Sequence, residues 1–115
     1  LEVEHPFVVK MQYVFQKSYR IYFVMDFISG GEMFYHIQLN TRFNENQVKF
    51  FAAQVALALG YSQVAKCDLQ DLKPENIILD EHGYLKLTDF GLSKQAKESN
   101  TFCGTPEYVS PEMLD

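Results

Sequence analysis

The strongest constraint on this chain lies between residues 71 and 91, where two polar clusters flank a short apolar hairpin. Ile77-Ile78-Leu79 and Tyr84-Leu85-Lys86-Leu87 have strand composition, and Asp80-Glu81-His82-Gly83 between them reads as a tight turn. Asp71-Leu72-Lys73-Pro74-Glu75-Asn76 precedes the hairpin and Asp89-Phe90-Gly91 follows it. Paired strands bring their outer ends together. The hairpin can therefore deliver Asn76 and Asp89 to one side, within reach of one ion.

The rest of the chain supplies conventional elements. Residues 8–15 and 20–28 are rich in Val, Ile, Phe and Tyr, and Gln16-Lys17-Ser18 separates them, which predicts two antiparallel strands. Ser29-Gly30-Gly31 punctuates the chain, and residues 32–39 read as a short helix with Glu32 as an acid in its first turn. Asn44 and Gln47 are spaced as a capping box. The helix that follows shows Val48, Phe51, Ala52, Val55, Ala56 and Leu59 at the recurrence of one face. From Asp89 onward the composition is that of a long loop.

Bulk properties narrow the function classes. A length of 115 residues allows one compact unit, and 47% hydrophobic content supplies material for a core. A net charge of -5 argues against nucleic acid as the main partner. Cys67 and Cys103 suit no disulfide framework or metal spacing and read as reduced thiols, so the expected location is the cytoplasm, with the nucleus as a second possibility. No apolar run is long enough to span a membrane, and no signal peptide opens the chain. It starts at Leu1, which allows for a longer parent polypeptide.

The polar clusters suggest a chemistry. Phosphoryl transfer to an alcohol needs a carboxylate to accept the hydroxyl proton and separate oxygen ligands for Mg²⁺. Asp71, Asn76 and Asp89 are of those types, and Lys73 can neutralise charge on the transferred group. Asp-Phe-Gly alone is usually a turn, and Asp-Leu-Lys-Pro alone could be a solvated loop. Their order and spacing, with Gly104-Thr105-Pro106-Glu107 and Ser110-Pro111-Glu112 downstream, set the bland reading aside.

On these motifs the chain resembles the AGC group of serine/threonine protein kinases, most closely the serum- and glucocorticoid-regulated kinases and protein kinase B. His5-Pro6-Phe7, Tyr22-Phe23-Val24-Met25-Asp26-Phe27, Gly30-Gly31-Glu32-Met33-Phe34 and Thr101-Phe102-Cys103-Gly104-Thr105-Pro106-Glu107-Tyr108 carry the likeness further. The resemblance implies an α+β, protein-kinase-like fold, present as a fragment. Residues 1–28 would be small-lobe strands and hinge. Residues 29–115 would be large lobe, with the catalytic loop and activation segment.

Residue roles follow from the same resemblance. Asp71 would be the catalytic base and Lys73 its phosphate-contacting neighbour; Asn76 and Asp89 would hold Mg²⁺. ATP would lie against Met25 as gatekeeper, the backbone of Asp26 and Ile28, Glu32 at the ribose, and Ile78 beneath the base. Glu32 and Glu75 resemble acids that recognise arginine upstream of the phosphoacceptor Ser or Thr, so protein substrates with basic residues there are the implied partners. Thr105, on the substrate side, resembles the threonine that bonds the catalytic Asp and Lys. Thr101 matches an activation-loop site phosphorylated by an upstream kinase, with Lys94 as one basic partner for the added charge.

Three departures qualify these expectations. Gln70 stands where the family has Arg, and a neutral amide cannot pair with a phosphorylated Thr101 as a guanidinium would. Gln63 replaces an expected His, and Asp68 falls where a buried apolar residue is usual. Finally, the 115 residues hold no glycine-rich phosphate loop, no phosphate-pairing strand lysine and no helix carrying its glutamate partner. Met11, Leu69 and Phe90 match three members of the interlobe hydrophobic stack, and the fourth would lie in that helix. Alone, this chain is expected to bind ATP poorly and to expose apolar surface of the helix over residues 44–64. The competing reading is a non-catalytic pseudokinase or truncated binding product.

Overall fold

The computed structural model describes residues 4–65, 71–88, 105–108 and 111. Strand β1 (Met11–Lys17) pairs antiparallel with β2 (Arg20–Met25), and helices α1 (Met33–Asn40) and α2 (Glu45–Val64) follow. A 3₁₀ turn (Pro74–Asn76) then leads into the hairpin of β3 (Ile77–Leu79) and β4 (Leu85–Leu87). These α+β elements fit the expected fold class.

The β3–β4 hairpin is the organising element. Its register pairs Ile77 with Leu87, Ile78 with Lys86 and Leu79 with Leu85. Asp80 builds the turn, because its Oδ1 accepts the amides of His82 and Tyr84, both at 2.9 Å. Gly83 takes φ +84°, a conformation that favours glycine. The hairpin then recruits a neighbour on each side. Beside β3, Gly30 N–H donates to Leu79 O at 2.8 Å and Leu79 N–H to Gly31 O at 2.9 Å. Beside β4, Val9 N–H donates to Leu87 O and Leu87 N–H to Phe7 O, both at 2.8 Å. Four stretches thus lie abreast, with the hairpin in the middle.

One face of this assembly forms the core. Ile77, Leu79, Leu85 and Leu87 are buried together with Val8, Met33 and Ala58, and Phe51, Val55 and Leu72 pack against them. Each such aliphatic side chain contributes about 1.5–3 kcal/mol when fully buried. Helix α2 begins with the expected capping box: Asn44 Oδ1 accepts from Gln47 N–H, and Gln47 Oε1 from Asn44 N–H, both at 2.9 Å. Its buried face differs from the predicted one. Gln54, Ala58 and Ser62 are the buried residues, whereas Val48, Ala52 and Ala56 are exposed. Gln54 explains the shift, since its Oε1 accepts the buried Leu85 N–H at 2.9 Å. A polar side chain turns inward because it satisfies a strand amide that has no water.

Element boundaries also change. The first strand begins at Met11, not residue 8, because the stretch around Val8 is taken by its pairing with Leu87. It runs on to Lys17, where a Ser18-Tyr19 turn with Ser18 at φ 54° closes the hairpin. The second strand stops at Met25. Glu32 is the N-cap of α1 rather than an acid within its first turn. Both faces of β1–β2 are exposed, and Phe15 stacks on its cross-strand partner Tyr22 with ring centroids 5.0 Å apart. On α2, Leu57 and Val64 are also exposed. No helix among the described residues is long and apolar enough to cross a membrane.

Two glycines should respond oppositely to alanine. A Cβ on Gly30 would sit 2.3 Å from Leu79 O and 2.7 Å from Asp80 O, both backbone atoms that cannot yield. Gly30→Ala should cost about 1–3 kcal/mol. Gly60 lies within α2 with nothing near the added atom among the described residues, so Gly60→Ala should stabilise by roughly 0.8–1 kcal/mol. Urea denaturation of both variants checks the contrast.

Candidate active site

The Asp71–Asn76 cluster is held at the open end of the hairpin, and Thr105 joins it there. Lys73, extended at φ -154° and ψ 160°, enters Pro74, which opens the 3₁₀ turn with a fixed φ and no amide to satisfy. Asn76 N–H donates to Lys73 O at 2.9 Å, closing that turn. Thr88 N–H then donates to Asn76 O at 3.0 Å, which carries the pairing one step beyond Ile77–Leu87. Residue 88 is thereby set against residue 76. Asp89, the next residue, lies outside the described residues, as do Asp68, Leu69, Gln70, Phe90, Lys94 and Thr101.

Asp71 is the hub. Its Oδ1 accepts Thr105 N–H at 3.0 Å and the Thr105 hydroxyl at 2.7 Å. Its Oδ2 lies 2.6 Å from Lys73 Nζ and accepts Asn76 Nδ2 at 3.2 Å. Lys73 Nζ also donates to Thr105 Oγ1 at 2.8 Å, so lysine, threonine and aspartate close a triangle. Asn76 Nδ2 binds Asp71 O as well, at 2.8 Å. With both amide hydrogens facing acceptors on Asp71, the oxygen that Asn76 can offer a cation is its side-chain carbonyl. A carboxylate has about four lone-pair sites, and these contacts fill them.

Charge and donors hold the Asp71 carboxyl below its usual range; the Lys73 bond contributes most, then the Thr105 hydroxyl. Its side chain is 37% exposed, so solvent screening keeps the energetic effect modest. The carboxylate therefore stays ionised far below neutral pH. Any stability it lends is present above the ordinary carboxylate range and is lost as pH falls through the lowered value.

The remaining predicted residues fall along the stretch from β2 to α1 and on or beside the hairpin. Met25 ends β2 opposite Met11. Asp26 N–H is taken by Lys10 O at 3.2 Å, its carbonyl accepts no backbone bond among the described residues, and its carboxylate accepts from Gln12 Nε2 at 2.8 Å. Ile28 is half-buried. Glu32 bridges antiparallel to Ile78, so those two residues are held side by side. Ile78 lies on the opposite face of β3 from the buried Ile77 and Leu79 and is half-buried. Glu32 makes no capping bond with its own helix and is exposed. Glu75 Oε2 is buried without a hydrogen-bond partner among the described residues.

Two positions escaped the sequence reading. Gln54 shows only as a break in an apolar run, and that polar interruption was itself the signal. His36 Nε2 lies 2.7 Å from Gly30 O, and nothing in the helix periodicity marks it.

The triangle makes a direct prediction. In a side-chain NMR titration, the Asp71 carboxyl should titrate below the normal aspartate range. Thr105→Val, which removes the hydroxyl and keeps the shape, should move that midpoint upward; an unmoved midpoint would count against the bond.

Comparisons with known proteins bear on the same residues. The sequence matches the family described as Protein kinase domain over residues 1–115. It is 52% identical to serine/threonine-protein kinase Sgk1 of Danio rerio, a match that takes in 97% of this chain and 27% of that protein. Sgk2 of Homo sapiens is 50% identical, over 97% of this chain and 32% of its own length. Sgk3 of Mus musculus is 49% identical, over 97% and 23%. The chain therefore spans about a quarter to a third of the relatives it matches. It belongs to the protein kinase domain family, as part of a catalytic domain similar to those of the Sgk serine/threonine kinases.

Proposed function

We propose that this chain carries the phosphoryl-transfer centre of an ATP-dependent serine/threonine protein kinase. The observation that carries the reading is the saturated, ionised Asp71 carboxylate, gripped by Lys73, Asn76 and Thr105. Such a group is a weak base. Phosphoryl transfer through a loose transition state asks mainly for positioning and charge stabilisation, so a fixed acceptor for a late proton suffices.

The donors also suggest how the site is armed. Lys73 is one of four donors on Asp71 and the one with a charge to give. An anionic phosphoryl oxygen would draw its ammonium away, opening Asp71 Oδ2 to the substrate hydroxyl. Bound Mg²⁺-ATP supplies the transferable phosphoryl group and the metal's charge. Asn76 suits the metal through its carbonyl oxygen, a hard donor of the kind Mg²⁺ prefers, with Asp89 as second ligand. Thr105 keeps Asp71 and Lys73 aligned.

The nucleotide would rest on Met25, the Asp26 carbonyl, the Ile28 backbone and Ile78, with Glu32 at the ribose. A buried carboxylate oxygen without a donor is costly, so Glu75 fits a cationic partner. Glu75 and Glu32 together would favour substrates with arginine upstream of the Ser or Thr. Residues 1–28 would serve as small-lobe strands and hinge, and residues 29–115 as large lobe. An upstream kinase acting on Thr101 and a cytoplasmic or nuclear location complete the reading.

In the full-length protein, Asp71→Asn should lower kcat about 10²–10⁴-fold while KM for ATP stays within about twofold. Steady-state kinetics with an arginine-containing peptide test this. A variant that kept its rate would remove Asp71 from the mechanism.

A further inference from the structure

We infer that His36 is a positioning residue for the nucleotide edge of the site, acting by tethering the Gly30–Glu32 turn from within helix α1. This inference rests on the reading of Glu32 and Ile78 as nucleotide contacts and adds a residue to it. Two hydrogen bonds converge on His36. Its Nε2 lies 2.7 Å from Gly30 O, and a carbonyl only accepts, so Nε2 carries the proton and donates. Its own amide donates to Glu32 O at 3.3 Å, the first-turn bond of the helix. The ring thus reaches back across the two residues that precede α1 and ties them to its first turn.

The tether matters because it fixes the side of the turn that faces the helix. Gly31 sits at φ +81°, a conformation that favours glycine, and Glu32 spends no side-chain bond on capping. An uncapped helix start normally leaves its entry loose. Here His36 does the anchoring from the opposite direction, which leaves the Glu32 carboxylate available to a ligand. On its other side the turn is laid against Leu79, and Glu32 bridges to Ile78. Helix, turn and strand are therefore locked as one unit, with Glu32 and Ile78 on it.

Loss of the tether should loosen ground-state binding of nucleotide and leave Asp71 undisturbed. In the full-length protein, His36→Ala should raise KM for ATP about five- to tenfold, the effect of one lost hydrogen bond, with kcat within about twofold. His36→Gln places an amide donor where Nε2 stood and should return KM to within about twofold of the parent value. Equilibrium binding of a non-hydrolysable ATP analogue with Mg²⁺ should follow the same order. An unmoved KM in His36→Ala, a parallel fall in kcat, or a His36→Gln no better than alanine would each overturn the role. Those results would leave transfer by the parent protein intact. A parent protein with no Mg²⁺-ATP-dependent transfer would overturn the kinase reading, and this inference with it.

Discussion

The backbone bond from Thr88 to Asn76 at the mouth of the β3–β4 hairpin is the contact on which the site depends. Through it, residue 88 is held against residue 76. The hairpin can bear this because its inner face is the core: Leu85 and Leu87 are almost fully buried, and Gln54 reaches from α2 to satisfy the Leu85 amide. Packing, polar satisfaction and site geometry thus share the same few residues.

The electrostatic arrangement follows from that rigidity. Thr105 lies far from Asp71 in sequence, yet it contributes two donors to the Asp71 carboxylate and accepts one bond from Lys73. Cross-linking of this kind makes the site a junction between the Asp71–Asn76 stretch and a segment distant in sequence. The ion pair itself is partly solvent-exposed and adds little stability. Its value is orientation.

Much of this could be read in the sequence, for reasons that differ by residue. The capping box at Asn44 and the turn at residues 80–83 are local chemistry, and local chemistry survives folding. The polar clusters around Asp71 and Asn76 were legible because several uncommon motifs occur in order. What could not be read was decided by tertiary neighbours. The stretch at Val8 has strand composition but pairs with β4 rather than extending β1. Helix α2 turns Gln54 inward because a strand amide needs it. His36 serves a carbonyl six residues upstream, a partnership that helical periodicity does not encode.

The claim that the hairpin presents Asn76 to a nucleotide-bound metal is open to one direct observation. Mn²⁺ can replace Mg²⁺ in the full-length protein with a non-hydrolysable ATP analogue, and the paramagnetic ion broadens nearby resonances. Strong broadening of the Asn76 side-chain amide, together with Asp89, and only when nucleotide is present, is the result expected. A nucleotide-bound protein in which the Asn76 signal stays sharp would contradict it.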